Sequence, residues 1–529
     1  MRNYYQIWLP VLLVCLAAGA ASAQSFRVQC PASTITHPVA ANNNAEPPYT
    51  GPGGVNGAIK CQQISGGDGY ATMGDGTQTY MFSFGPLSGL EKIADGQPGT
   101  DFPFEFNTVY ASGSPLSPGD PATTDPNLGQ PGHTDAFTYN GAVGLVGDQS
   151  VFVNDGSGNN ACITQVPPPA ACLTGHVDPR QMMDVGVMNG NIPAPLMALD
   201  EDDEFFLTLS NVGMIMRPDL FEQHTVHFHG YPNASSFYDG VPDASVAINI
   251  GGSFTYYYLA PDAGTYFWHC HITPPEHLQM GMVGQIYVRP RQNRVPVGND
   301  LYASLQAQQG NLRTACKSAS DILCSNPLPS VNTGATRAAS GNYAYNDGDG
   351  STYYDVEYPL QIHGFDPNFH FVGMTFNPEG FSDMKDKYFL LNGRSYPDTV
   401  TQGPLQTESA DGKTHFSQPL PAIINIPAGK KALLRISDLD VTEFQTLASL
   451  GIPMKVIAIN AKLLRDQAGN NLYYNTNSIT LGGGESIDVI LDATGYSSGQ
   501  VFYLYTPNLD HLSNDAENFG GLMTEVHIN

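Results

Sequence analysis

Between Gly264 and Met282 the chain reads GTYFWHCHITPPEHLQMGM, in which Cys270 sits between His269 and His271 and is followed by His277 and Met282. Upstream, EQHTVHFHGYP carries His224, His227 and His229. So many nitrogen and sulfur donors in two short runs are a pattern for metal binding rather than for packing. In an extended strand, side chains alternate faces with period two. His227 and His229 therefore share one face, as do His269 and His271, while His224 and Cys270 point the other way.

If the two strands are neighbours, this parity builds two metal sites back to back. One gathers His227, His229, His269 and His271. The other gathers His224 and Cys270, and gains His277 and Met282 from the loop that follows. Two imidazoles, a thiolate and a weak axial thioether are the ligand set of a blue-copper electron-transfer centre. Zinc takes four strong ligands, so the methionine favours copper.

The elements that must position these ligands are strands. The sequence has 56 Gly and 40 Pro, only 13% charged residues, and short runs of Val, Ile, Tyr, Phe and Thr between turn clusters, which is the texture of an all-β sandwich protein. The best helix candidate is DLYASLQAQQGNL, Asp300 to Leu312. Two blocks share an order of signals: NGNIPAPLMAL at Asn189 with GGSFTYYYLAPDAGTYFW from Gly251, then NGRSYPDTV at Asn392 with GGGESIDVILDATGYSSGQVFYLY from Gly482. This suggests an internal duplication. The expected organisation is a signal segment at 1–23, a metal-binding sandwich at 24–290 with a Gly/Pro/Asp-rich insertion at about 96–179, a partly helical linker at 291–350, and a second, related sandwich at 351–529.

The first residues combine Arg2, an apolar run and an Ala21-Ser22-Ala23 ending, as a secretory signal does, which points to a periplasmic or extracellular protein. No later apolar run is long enough for a membrane span. Of eight cysteines, removing Cys15 leaves seven, an odd number in an oxidising compartment. Proximity pairs Cys162 with Cys172 and Cys316 with Cys324, Cys30 with Cys61 follows, and Cys270 is left over. A net charge of -27 excludes nucleic acid as a natural partner.

HTVHFHG and HCHITPPEHLQMGM resemble the metal motifs of the multicopper oxidases, the family that includes laccases, with two extra residues between Cys270 and His277. NGNIPAPLMALDEDDEFFLTLSNV and PDAGTYFW resemble that family's strands, over roughly Ile59 to Val288 and more faintly Tyr388 to Ile528. The resemblance implies two cupredoxin-like Greek-key sandwiches. It also implies a type 1 copper on His224, Cys270, His277 and Met282, fed by a small electron donor, either phenolic or a low-valent metal ion. Type 2 and type 3 copper at His227, His229, His269 and His271 would reduce dioxygen to water.

The family's cluster takes eight histidines from two domains, and this chain shows four. Three completions are open: a homo-oligomer whose faces meet about a twofold axis, which is favoured here, a reduced cluster, or a separate partner. Aligned on its Gly turn, the second block puts Gln445, Ala448 and Leu450 in the places of His224, His227 and His229, and Thr506, Pro507 and Asn508 in those of His269, Cys270 and His271. It therefore reads as copper-free. A blue-copper electron carrier or copper-binding protein is an alternative. So is a nitrite-reductase-like enzyme, although His227 stands where those enzymes have an aspartate. His363 and His370 read as ordinary turn or strand residues, His511 as a remnant of a metal-binding loop followed by Met523, Asp200 to Glu204 as a solvated turn, and Met214, Met216 and Met280 as core.

Overall fold

Glu204–Gly213 (EFFLTLSNVG) shows how the strands form: Phe205, Leu207 and Leu209 alternate onto one face and are fully buried in the core. The computed structural model describes residues 28–38, 57–89, 95–106, 152–165, 189–214, 220–230, 235–260, 262–308, 326–374, 380–408 and 414–529, with a few single positions between them. The expected signal segment and most of the insertion lie outside the described residues.

In the first half, β1 (Ile59–Thr72), β2 (Gln78–Pro86), β4 (Glu204–Gly213) and β6 (Ser253–Leu259) form one sheet in the order β2-β1-β4-β6. A facing sheet runs β3-β8-β7-β5, from β3 (Met197–Asp200), β8 (Val283–Arg289), β7 (Gly264–His269) and β5 (His227–His229). Trp268, Tyr256, Phe84 and Met282 share the apolar core of this half. Trp268 lies opposite Gly284, where a Cβ would come within 3.0 Å of the indole, so a larger residue would press on the ring.

The second half repeats the plan. Tyr388–Leu391, Val356–Phe365, Lys431–Asp438 and Ser486–Asp492 follow one another in one sheet, and Ile424–Ile426, Met523–Ile528, Val501–Tyr505 and Gln445–Leu450 in the other. The parallel pairs coincide: β1 with β4 matches Val356–Phe365 with Lys431–Asp438, and β3 with β8 matches Ile424–Ile426 with Met523–Ile528. A separate core of Ile, Leu and Val fills this sandwich. The fold is all-β, with two cupredoxin-like sandwiches of the same topology.

A helix at Leu301–Gln308 falls within the stretch expected to be helical. Around it, Arg291, Gln292, Tyr343 and Tyr345 are buried, so this connection packs on the body of the protein. Cys30 and Cys61 form a disulfide with Cα atoms 5.9 Å apart, and Cys270 is free and buried. The other two expected pairs involve residues outside the described set.

The acidic run corrects its reading as a solvated turn: Asp200 to Glu204 are all buried. Arg291 binds Asp202, Arg294 reaches Asp202 at 2.8 Å, and the Arg291 amide donates to Glu201. Buried carboxylates need such partners. The run is an internal anchor for the segment after β8.

Candidate metal centre

His224 lies outside the strands. It makes a single bridge with Ile248, each amide donating to the other's carbonyl, at 3.1 and 2.9 Å, and the regular strand β5 covers only His227–His229. The parity argument assumed a longer strand, yet the extended backbone still sends the side chains to opposite sides. Ligand atoms of His224, Cys270 and His277 lie within 4.8 Å of one another, and so do those of His227, His229 and His269. The His271 ring joins the second group, with its centroid 5.1 Å from that of His227.

The buried group has the chemistry of a ligand set. His224, Cys270 and His277 are fully enclosed, and neither ring nitrogen of His224, nor Nε2 of His277, has a hydrogen-bond partner among the described residues. Unpaired buried polar atoms cost about 1–3 kcal/mol each, so a fold that keeps three of them has a use for them. Burial holds His224 neutral, with a pKa lowered to about 3, and it also holds His277 well below its ordinary value, with a contribution from His224. Burial also pushes the Cys270 thiol up to about 11, so a bound cation must supply the drive to a thiolate.

Local contacts shape this pocket. His277 Nδ1 is 3.3 Å from Cys270 Sγ, and the Thr225 amide donates to the same sulfur at 3.4 Å. Met282 is buried, its amide donates to the His277 carbonyl at 2.8 Å, and its own carbonyl accepts from the Cys270 amide at 3.1 Å. Gly66 makes room for His224: a Cβ there would lie 2.5 Å from the ring. Sequence reasoning missed Gly66 and Thr225, since neither carries a ligand motif. Met214 and Met280 lie in the apolar core with Met216 packed against it.

On the other face, His227 Nδ1 donates to the Asp239 carbonyl and His269 Nδ1 to the Cys270 carbonyl, both at 2.6 Å. These bonds fix the tautomers and leave Nε2 of each ring as a ligand atom. His269 Nε2 is 2.9 Å from His229 Nε2. Burial first, then neighbouring histidines, lower His229 to about 4; burial is also the main cause that lowers His269, to about 3. Neutral imidazoles with converging lone pairs fit a soft or borderline cation such as copper.

This face opens on a cleft of about 510 Å³ lined by His229, His269 and His271 on one side and by Asp440, Glu443 and Phe444 on the other. Gly484 closes against His229, where a Cβ would come within 3.2 Å of Nδ1.

The second sandwich corrects one alignment. Ala448 pairs with Tyr505 and Leu450 with Tyr503, as His227 pairs with His269 and His229 with Phe267. Tyr505, Thr506 and Pro507 thus stand in the places of His269, Cys270 and His271, one residue earlier than the Gly turn suggested. Likewise Leu522, rather than Met523, takes the place of Met282, because its amide donates to His511 and its carbonyl accepts from Thr506.

Residues 173–293 match the family model described as multicopper oxidase. Among curated proteins, laccase abr2 of Aspergillus fumigatus is 34% identical over 117 residues, 22% of this chain and 18% of that protein. Multicopper oxidase MmcO of Mycobacterium tuberculosis is 29% identical over 137 residues, 26% of this chain and 25% of that one. The copper-containing nitrite reductase of Rhizobium meliloti is 35% identical over 109 residues, 20% of this chain and 26% of that one. The chain thus spans about a quarter or less of these relatives' lengths. A blue copper oxidase of Nitrosomonas europaea superposes with a TM-score of 0.42 at 20% identity, covering 64% of this chain and 78% of that one. The segment 173–293 is thus similar to multicopper oxidase sequences, and its His/Cys groups are compatible with copper sites.

Proposed function

We propose that this chain is an exported copper oxidase, which takes electrons from a small phenolic or low-valent metal donor and reduces dioxygen to water. The observation that supports it is the pairing of two donor groups through adjacent residues: Cys270 belongs to the enclosed group, and its covalent neighbours His269 and His271 belong to the group facing the cleft. Copper, when bound, supplies one-electron redox chemistry at each group.

His224, Cys270, His277 and Met282 would hold the type 1 ion, and His227, His229, His269 and His271 the ions at the cleft. The core around Cys270 excludes water from the first group, while the cleft admits a small molecule to the second. Four one-electron oxidations of donor balance one dioxygen and four protons to two waters. The second sandwich, with Gln445, Thr506 and Leu522 where ligands would be, is proposed to be copper-free.

Completion by a second copy about a twofold axis remains the proposed assembly for a full cluster. Because Asp440 to Phe444 and Gly484 already cover part of the face, a partner's histidines would enter through the mouth of the cleft. The similarity to a nitrite reductase favours one second reading, in which the cleft takes nitrite.

The test is copper per chain on copper-loaded protein, with its visible and electron paramagnetic resonance spectra, sedimentation, and uptake of oxygen or nitrite. A blue signal with further copper and oxygen uptake is expected. A blue signal with one copper and no turnover makes the protein an electron carrier, and nitrite consumption selects the second reading.

A further inference from the structure

The loop after Cys270 ends in a short helix, Pro274–Gln279, and His277 is carried by that helix. The last carbonyls of any helix lack partners within it. Here two of them face histidines of the other sandwich. His363 Nε2 donates to the Leu278 carbonyl and His370 Nε2 lies against the Gln279 carbonyl, each at 3.0 Å. His370 Nδ1 also lies 2.6 Å from the Tyr80 carbonyl on β2, so this ring spans from the first sheet to the helix end.

The side chain of Gln279 is held as well. Its Nε2 donates to Asp386 at 2.9 Å, and its Oε1 accepts from the Asp366 amide at 3.1 Å. Gln279, His363 and His370 are all buried. The Leu278 carbonyl can only accept, so the proton of His363 sits on Nε2 and points at the helix. Four contacts from one sandwich thus converge on the two residues that follow a ligand histidine of the other.

We propose that His363, His370 and Asp386 are positioning residues for His277, so that the second sandwich fixes one ligand of the copper in the first. This rests on the copper reading above. Outer contacts of this kind orient a ligand, and their loss typically costs about 10- to 100-fold in metal affinity.

The test compares His363→Leu, His363→Gln and Gln279→Met with the unaltered chain. The glutamine keeps a donor for the Leu278 carbonyl, and the methionine removes the amide at nearly constant volume. Copper affinity is read by chelator competition, the geometry by the copper hyperfine splitting and the reduction potential, and folding by thermal melts of the metal-free protein. Expected are a tenfold or greater loss of affinity at the blue site with a shifted hyperfine splitting in His363→Leu and Gln279→Met, and recovery in His363→Gln. If His363→Leu fails to fold, Gln279→Met decides. Unchanged affinity, splitting and potential in a folded Gln279→Met would reduce these contacts to interface packing and overturn the proposal. An unaltered chain with no blue signal overturns the copper reading itself, and the positioning role with it.

Discussion

His511 holds in the second sandwich the position that His277 holds in the first. The Leu522 amide donates to the His511 carbonyl at 3.0 Å, as Met282 does to His277 at 2.8 Å. What differs is the company: Gln445, Thr506 and Leu522 replace His224, Cys270 and Met282. His511 is spent on the fold, with Nδ1 donating to Gln445 at 3.0 Å and its ring stacked 3.7 Å from Phe389. His511→Ala should therefore leave copper content unchanged and lower stability by about 1–3 kcal/mol. Metal analysis and thermal melts check this; loss of a copper equivalent would mean that the second sandwich binds metal.

Cys270→Ser should abolish the intense visible absorption and remove one copper per chain, because a hydroxyl cannot replace the thiolate. The serine would sit in a fully buried position. A destabilisation of about 1 kcal/mol in the metal-free chain is expected, because a hydroxyl is costlier to bury than a thiol while the Thr225 amide and His277 stay beside it. Persistence of the blue band would remove Cys270 from the site.

The sandwich fold and the two donor groups were legible because each rests on a local pattern: alternation in β4, and residue parity around His227 and Cys270. What was not legible depended on contacts far apart in sequence. Gly66 is visible as a site residue only once His224 lies over it. His363 and His370 looked ordinary because their partners, Leu278 and Gln279, are backbone carbonyls across the interface. The Asp200 to Glu204 run looked like a surface because Arg291 and Arg294, which hold it inside, come from a segment expected to be a linker. The one-residue error at Thr506 arose because a Gly turn does not fix register, whereas the pairing of Ala448 with Tyr505 does.

His229→Ala separates the two groups. His229 is partly exposed at the cleft and belongs to neither Cys270 nor its covalent neighbours. The blue signal should survive, while oxygen uptake falls on the order of tenfold or more as a ligand of the reducing site is lost. Spectra and an oxygen electrode on one preparation check it. A parallel loss of the blue band would show that the two sites are not separable as drawn.

Glu357 joins the sandwiches and makes part of their stability depend on pH. Arg289, at the end of β8, reaches it at 2.8 and 3.0 Å, and Arg435 of the second half at 3.0 Å. Burial alone would raise this carboxyl, but the two guanidinium groups and their hydrogen bonds outweigh it and hold the pKa at about 2, against an ordinary 4.5. As pH falls below 4.5 the unfolded chain takes up the proton first, so the pair's stabilisation is present above that pH and is lost on the way down to about 2. The contribution is on the order of 3 kcal/mol. Glu357→Gln should flatten the pH dependence across this window and cost about 3 kcal/mol at neutral pH, because the buried Arg435 and the partly exposed Arg289 lose their counter-charge. Urea midpoints measured from pH 2 to 7 on both proteins isolate the term, since every other acid is common to them. Parallel curves would show that Glu357 titrates alike in the folded and unfolded chains and that the sandwiches are held together without it.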